Sequence, residues 1–215
     1  MNPIEKLNEM RQYGGALRTR GLDDATILRF AAKHPDLAEA IDAAHAAHVA
    51  LRGGEFEDLL RADEQTQIND TQAGFVNFYA DDAVNPYVAL TARGPWVITL
   101  KGAVVHDSGG YGMLGMGHAP KAVLDAMAKP QAMANIMTPS LSHLRLTRAL
   151  RREIGQTRGA CPYTHFLCLN SGSESVTLAG RIADINTKLH TDAGGRHAGK
   201  KVKRIAVKGA FHGRT

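Results

Sequence analysis

Asn170-Ser171-Gly172-Ser173-Glu174 is the stretch whose residue types and spacing best suit binding chemistry. It follows a wholly apolar run, Phe166 to Leu169, and opens a segment of helical pattern from Gly172 to about Asn186. Ser171 and Glu174 are spaced as a capping box, S-x-x-E. A small-residue turn at the start of a helix bares amide groups, and the helix dipole adds partial positive charge there. That suits an anion, and a phosphate in particular. Gly172 would let the phosphate come close, and Ser171 and Ser173 add hydroxyl donors. The alternative is that Ser171 only caps its helix.

A second stretch, Gly209-Ala210-Phe211-His212-Gly213-Arg214-Thr215, sets an aromatic beside a histidine between glycines. Phe211 and His212 could lie against a flat ligand, or the stretch is an ordinary loop with Phe211 in the core. A third, SGGYGMLGMGH, carries five glycines from Gly109 to Gly117. Its interleaved Tyr111, Met113, Leu114 and Met116 point to a buried loop facing a ligand or a subunit; the alternative is a flexible surface loop. His45 and His48 sit three apart on a helical pattern. A metal would need a third ligand, which is not placed nearby, so a packed or surface pair is the simpler reading.

The elements that position these residues follow from local pattern. Phe166 to Leu169 reads as a strand buried on both faces. Val202 to Val207 reads as a second strand after a polar, glycine-bearing loop. Strand, helix and strand make a parallel pair with a right-handed crossover, which puts Phe211 and the Ser171–Ser173 turn on the same side of the sheet. Upstream, WVITL and AVVHD flank Lys101-Gly102 as two strands and a tight turn. Helices are expected from Asp23 or Asp24 through Ala32, from Pro35 to Leu51, over Glu55 to Arg61, from Pro120 to Lys129, and from Ser140 to Ile154. Residues 63 to 94 lack a helical period and read as an extended crossing segment with room for short strands. The resulting domains are a helical N-terminal extension, 1–62; a segment with the strand pair, glycine loop and helices, 63–158; and the start of a larger α/β domain, 159–215.

Composition narrows the function. The 215 residues are 44% hydrophobic and 22% charged, as in ordinary globular chains. No window approaches a membrane-spanning apolar run. MNPIEKLNEMRQYGG lacks the apolar core of a secretory signal, so the expected location is cytoplasmic. Two cysteines, Cys161 and Cys168, make neither a disulfide framework nor a zinc signature. The net charge of +5 is mild. Its one dense cluster, Lys200, Lys201, Lys203 and Arg204 beside Arg196, reads as a solvated loop and strand edge, not a nucleic-acid surface.

Together these pieces resemble the class III aminotransferases, pyridoxal-phosphate enzymes of fold type I that include the acetylornithine, ornithine and 4-aminobutyrate transaminases. Three stretches carry the resemblance in order: WVITLKGAVVHDSGGYGMLGMGHAPKAVLDAM, FLCLNSGSESVTLAGRIA and RIAVKGAFHGRT. The resemblance covers roughly residues 84 to 215, and the N-terminal helices have no counterpart in it. It implies an α/β fold, the N-terminal part of a fold type I domain, with pyridoxal 5'-phosphate as cofactor. It implies that Gly172 and Ser173 donate amides to the cofactor phosphate beside Ser171, that Phe211 stacks on the pyridine ring with His212 close by, that Arg214 binds a substrate carboxylate, and that Tyr111 lies on the substrate side. The partners implied are an amino donor, a 2-oxo acid acceptor and a second copy in a homodimer, with the 109–117 loop at the subunit contact.

The sequence departs from the family at Ser173, Ser175, Thr177 and Arg181, which touches the subfamily and not the fold. The Schiff-base lysine and the aspartate that pairs with the pyridine nitrogen are expected downstream of His-Gly-Arg, so no catalytic residue is assigned within these residues. The chain is therefore expected to be the N-terminal portion of a longer enzyme, inactive alone. Other outcomes are a different fold type I reaction, such as decarboxylation or amino-group migration, or a non-catalytic relic.

Overall fold

The computed structural model describes residues 1–76, 87–108, 115–131 and 137–211. They divide into two units, Met1–Gln131 and Ala132–Thr215.

In the first unit, short polar signals set each helix. Asn2 caps α1, Pro3–Arg11, through a reciprocal box with Glu5. Asp23 caps α2, Asp24–Ala31, by accepting the Thr26 amide. Pro35 opens the alanine-rich α3, Pro35–Leu51, and the chain turns at Gly53 with φ of +69°. The helix α4, Glu57–Arg61, starts two residues later than the sequence pattern suggests.

Two helices were not evident from periodicity. One is α1. The other is α5, Glu64–Gln72, which lies inside the stretch expected to be extended and is capped by Asp63 on Thr66. Its sequence, EQTQINDTQ, has almost no apolar face, yet Glu64, Gln67 and Ile68 are buried. Tertiary packing, not periodicity, makes it a helix.

A three-stranded antiparallel sheet follows: β1, Ala89–Arg93; β2, Trp96–Thr99; and β3, Val104–His106, in the order β1-β2-β3. Ile98 opposes Val104 and Trp96 opposes His106. The β2–β3 turn is at Lys101-Gly102, as the sequence pattern predicts, and Gly102 adopts φ of +72°. A Cβ there would meet Leu7 O of α1 at 2.8 Å, so α1 seats directly on the turn.

Helix α3 packs on β1 and β2, and α1 packs on α3. Leu7, Met10, Ile27, Leu37, Ile41, Trp96, Ile98 and Val104 form the shared core. Each such side chain contributes roughly 1.5–3 kcal/mol through burial. Polar links add direction. Thr91 Oγ1 donates to Ala40 O at 3.0 Å, and Arg93 pairs with Asp36 and Glu39. The N-terminal helices thus supply one wall of the core under the sheet. Helix α6, Lys121–Met127, completes the unit and buries nothing.

The second unit holds α7, Leu141–Gly155, capped at Ser140, and α8, Gly172–Thr191. The expected strands at 166–169 and 202–207 are not formed: both runs are irregular backbone. Leu167 and Leu169 are exposed, and Ile205 is 97% exposed. The reason is non-local. A parallel strand needs ladder partners on its edges and layers on its faces, and one helix between two apolar runs supplies neither.

Candidate functional site

Helix α8 begins where the sequence places it, and the capping box is closed. Ser171 is extended, with φ −146° and ψ 158°, and its Oγ accepts the Glu174 amide at 3.2 Å. Glu174 Oε2 reaches back and accepts the amides of Asn170 at 2.9 Å and Ser171 at 3.1 Å. The first helical bond, Ser175 N to Ser171 O, spans 3.1 Å, and Ser175 Oγ donates to the same carbonyl at 3.0 Å.

This arrangement sorts the turn's donors. The carboxylate of Glu174 is spent on the amides ahead of the helix, so its negative charge is tied back toward Asn170. The Gly172 amide, first of the helix, lies beyond it. Ser171 Oγ accepts one bond and keeps its own proton to donate. Asn170, Ser171 and Gly172 are exposed and Ser173 is half-buried. A Cβ built on Gly172 meets nothing within 4 Å, so the approach is open. The twenty-residue helix behind it adds about half a positive charge at this end. An exposed first-turn amide and a hydroxyl at the positive end of a helix are the kind of donors that can hold a phosphate monoester.

Phe211 is 78% exposed, so it is not a core residue. Among the described residues no hydrogen bond or ring contact joins it to the Ser171–Ser173 turn. His212, Arg214 and Tyr111 lie outside the described residues, as does most of the glycine loop.

The end of that loop is described. Gly117 adopts φ of +74°, and His118 pairs with Gly94 by two backbone bonds of 2.8 and 2.9 Å. His118 Nε2 lies 3.1 Å from Asp107 Oδ2. The loop therefore leaves β3 at Asp107 and is fastened back to the β1–β2 turn by His118. Sequence reasoning did not find this pair. Its signal was a strand-ending aspartate followed eleven positions later by Gly-His.

The histidine pair of α3 has other partners. His45 Nε2 contacts Glu9 at 2.7 Å, and His48 is buried edge-on to Tyr13 with Arg52 on its Nδ1. Burial, with the charge of Arg52 beside it, lowers the His48 pKa to about 4, so the ring is held neutral. No group of three metal-ligating side chains occurs among the described residues.

The family model for class III aminotransferases matches residues 78–215. The chain belongs to the class III aminotransferases. Their matched region takes in the sheet, α6 to α8 and every candidate site residue, while α1 to α5 precede it. The family is pyridoxal-phosphate-dependent, and the open turn of this class III aminotransferase suits that cofactor's phosphate. No curated protein and no solved structure matches the chain. Among the described residues no helix of the aminotransferase is long and apolar enough to cross a membrane.

Proposed function

We propose that this chain forms the phosphate-binding side of a fold type I transaminase that moves an amino group from an amino acid or amine to a 2-oxo acid. The observation that carries the reading is the reciprocal Ser171–Glu174 cap, which leaves the Gly172 amide at the positive end of α8 inside the family-matched region. Gly172 and Ser173 bind the cofactor phosphate through their amides, and the Ser171 hydroxyl adds a donor. Phe211 covers the ring face, with His212 at its edge. Arg214 grips a substrate carboxylate through its planar fork, and Tyr111 lines the substrate side. When bound, pyridoxal 5'-phosphate supplies the electron sink for breaking a bond at the substrate's amino-bearing carbon.

The segment from 159 onward begins the cofactor-binding domain, and its apolar runs become strands once neighbouring strands lie beside them. The lysine that holds the cofactor and the aspartate on the pyridine nitrogen belong to sequence following the His-Gly-Arg segment. The active enzyme is a homodimer. The test is absorbance of the full-length protein with pyridoxal 5'-phosphate. A band of protein-bound cofactor that an amino donor bleaches, and a 2-oxo acid restores, is the expected result. A bound-cofactor band unmoved by any amino donor would contradict the transaminase assignment.

A further inference from the structure

Three buried polar side chains gather where α5 meets the β2–β3 turn. Glu64 and Gln67 lie one turn apart on the same face of α5. Lys101 comes from the turn. Their exposures are 1%, 0% and 1%. Lys101 Nζ donates to Tyr13 O at 3.3 Å and to Leu60 O at 3.2 Å. Gln67 Nε2 donates to Leu59 O at 2.9 Å and to the same Leu60 O at 3.4 Å. Sharing that carbonyl makes Gln67 and Lys101 neighbours. Glu64 Oε2 accepts the amides of Arg18 and Thr19 at 2.6 Å each, and its charge acts on the Lys101 ammonium.

The hydrogen bonds of this cluster do not close on themselves. Glu64 Oε1 and Gln67 Oε1 are both buried with no partner among the described residues. The ammonium of Lys101 has three protons, of which two are used. Two acceptors and one donor of these three buried side chains therefore have no protein partner among the described residues. A buried polar group left so costs about 1–3 kcal/mol.

We propose that Glu64, Gln67 and Lys101 form a binding site for one internal water molecule, which fastens the N-terminal helices to the family-matched hairpin. The count is complete: water donates its two protons to Glu64 Oε1 and Gln67 Oε1 and accepts the third proton of Lys101. Buried waters make about this number of bonds to such groups. Other solutions satisfy less. A direct Lys101–Glu64 contact leaves Gln67 Oε1 alone. A reversed Gln67 amide sets its oxygen against two carbonyls. A monovalent cation would face the ammonium that already supplies the positive charge. Glu64 and Gln67 precede the matched region and Lys101 lies inside it, so the water bridges the two parts.

Water-selective nuclear Overhauser spectroscopy on the 15N-labelled full chain tests the proposal. A cross peak from the Gln67 side-chain amide protons to a long-lived water is expected, and it is lost in Lys101→Met. Should that variant fail to fold, a crystal structure of the unsubstituted protein decides. One density peak within about 2.7–3.2 Å of all three atoms supports the site. Absence of both the cross peak and the density overturns it. So does direct Lys101–Glu64 contact, or a peak that strengthens on soaking with rubidium, which would mark a cation.

Discussion

Ser171 Oγ accepts the Glu174 amide at 3.2 Å while Glu174 Oε2 accepts the Ser171 amide at 3.1 Å, so each residue satisfies the other's backbone at the head of α8. No residue of α8 is buried, and the helix leans on its cap more than a packed helix would. Ser171→Ala is expected to cost about 1 kcal/mol. Hydrogen exchange at amides 172–176 reads it: protection should fall there and stay unchanged in α3. Equal protection in both proteins would show that the cap contributes nothing.

Gly172→Ala separates folding from binding. The added methyl has open space and the backbone there is not left-handed, so thermal stability should hold or rise slightly, since alanine favours helix. Affinity for pyridoxal 5'-phosphate should fall, because the methyl occupies the path of the phosphate. Melting temperature and a cofactor titration on the same sample check both halves. Unchanged affinity would place the phosphate elsewhere.

Much of the fold was legible where its signals are local. Asp23 before α2, Pro35 at the start of α3, Lys101-Gly102 between β2 and β3, and the Ser171–Glu174 spacing each act within four residues. The missed elements have causes at longer range. Helix α5 holds because Glu64 and Gln67 find partners in the 16–19 segment and at Leu59 and Leu60, which no local period reveals. The runs 166–169 and 202–207 have strand character, but a ladder needs neighbours. Of the candidate site, the turn could be read from spacing. The Asp107–His118 pairing was missed, because it joins two residues eleven positions apart and no local spacing rule links them.

Acid should weaken the first unit in a defined window. His48 titrates at about 4 when folded and near 6.5 when unfolded, so the unfolded chain binds the extra proton between those values. Stability is therefore full above pH 6.5 and declines as pH falls toward 4, with a slope of at most about 1.4 kcal/mol per pH unit. Glu9 adds to the loss lower down. Bonds from His45 and Arg52 depress its pKa, so its contribution disappears as pH falls through that depressed value. Urea unfolding from pH 7.5 to 4.5 should show the decline, and His48→Gln should flatten it. A slope unaffected by that substitution would assign it to other groups.

Gly117 holds the end of the glycine loop. Its φ is +74°, and a Cβ would lie 2.9 Å from the Gly94 backbone. Gly117→Ala is expected to cost more than about 1 kcal/mol and to break the Gly94–His118 bridge. Unfolding midpoints, with the His118 ring resonances as a local probe, check it; a wild-type midpoint would contradict the close approach.

The phosphate turn itself is tested most directly by nuclear magnetic resonance of the labelled full chain with three additives. Pyridoxal 5'-phosphate and inorganic phosphate should each move the Gly172 and Ser173 amide resonances, and pyridoxal without its phosphate should leave them in place. Equal shifts with pyridoxal, or shifts confined to lysines away from the start of α8, would contradict the account.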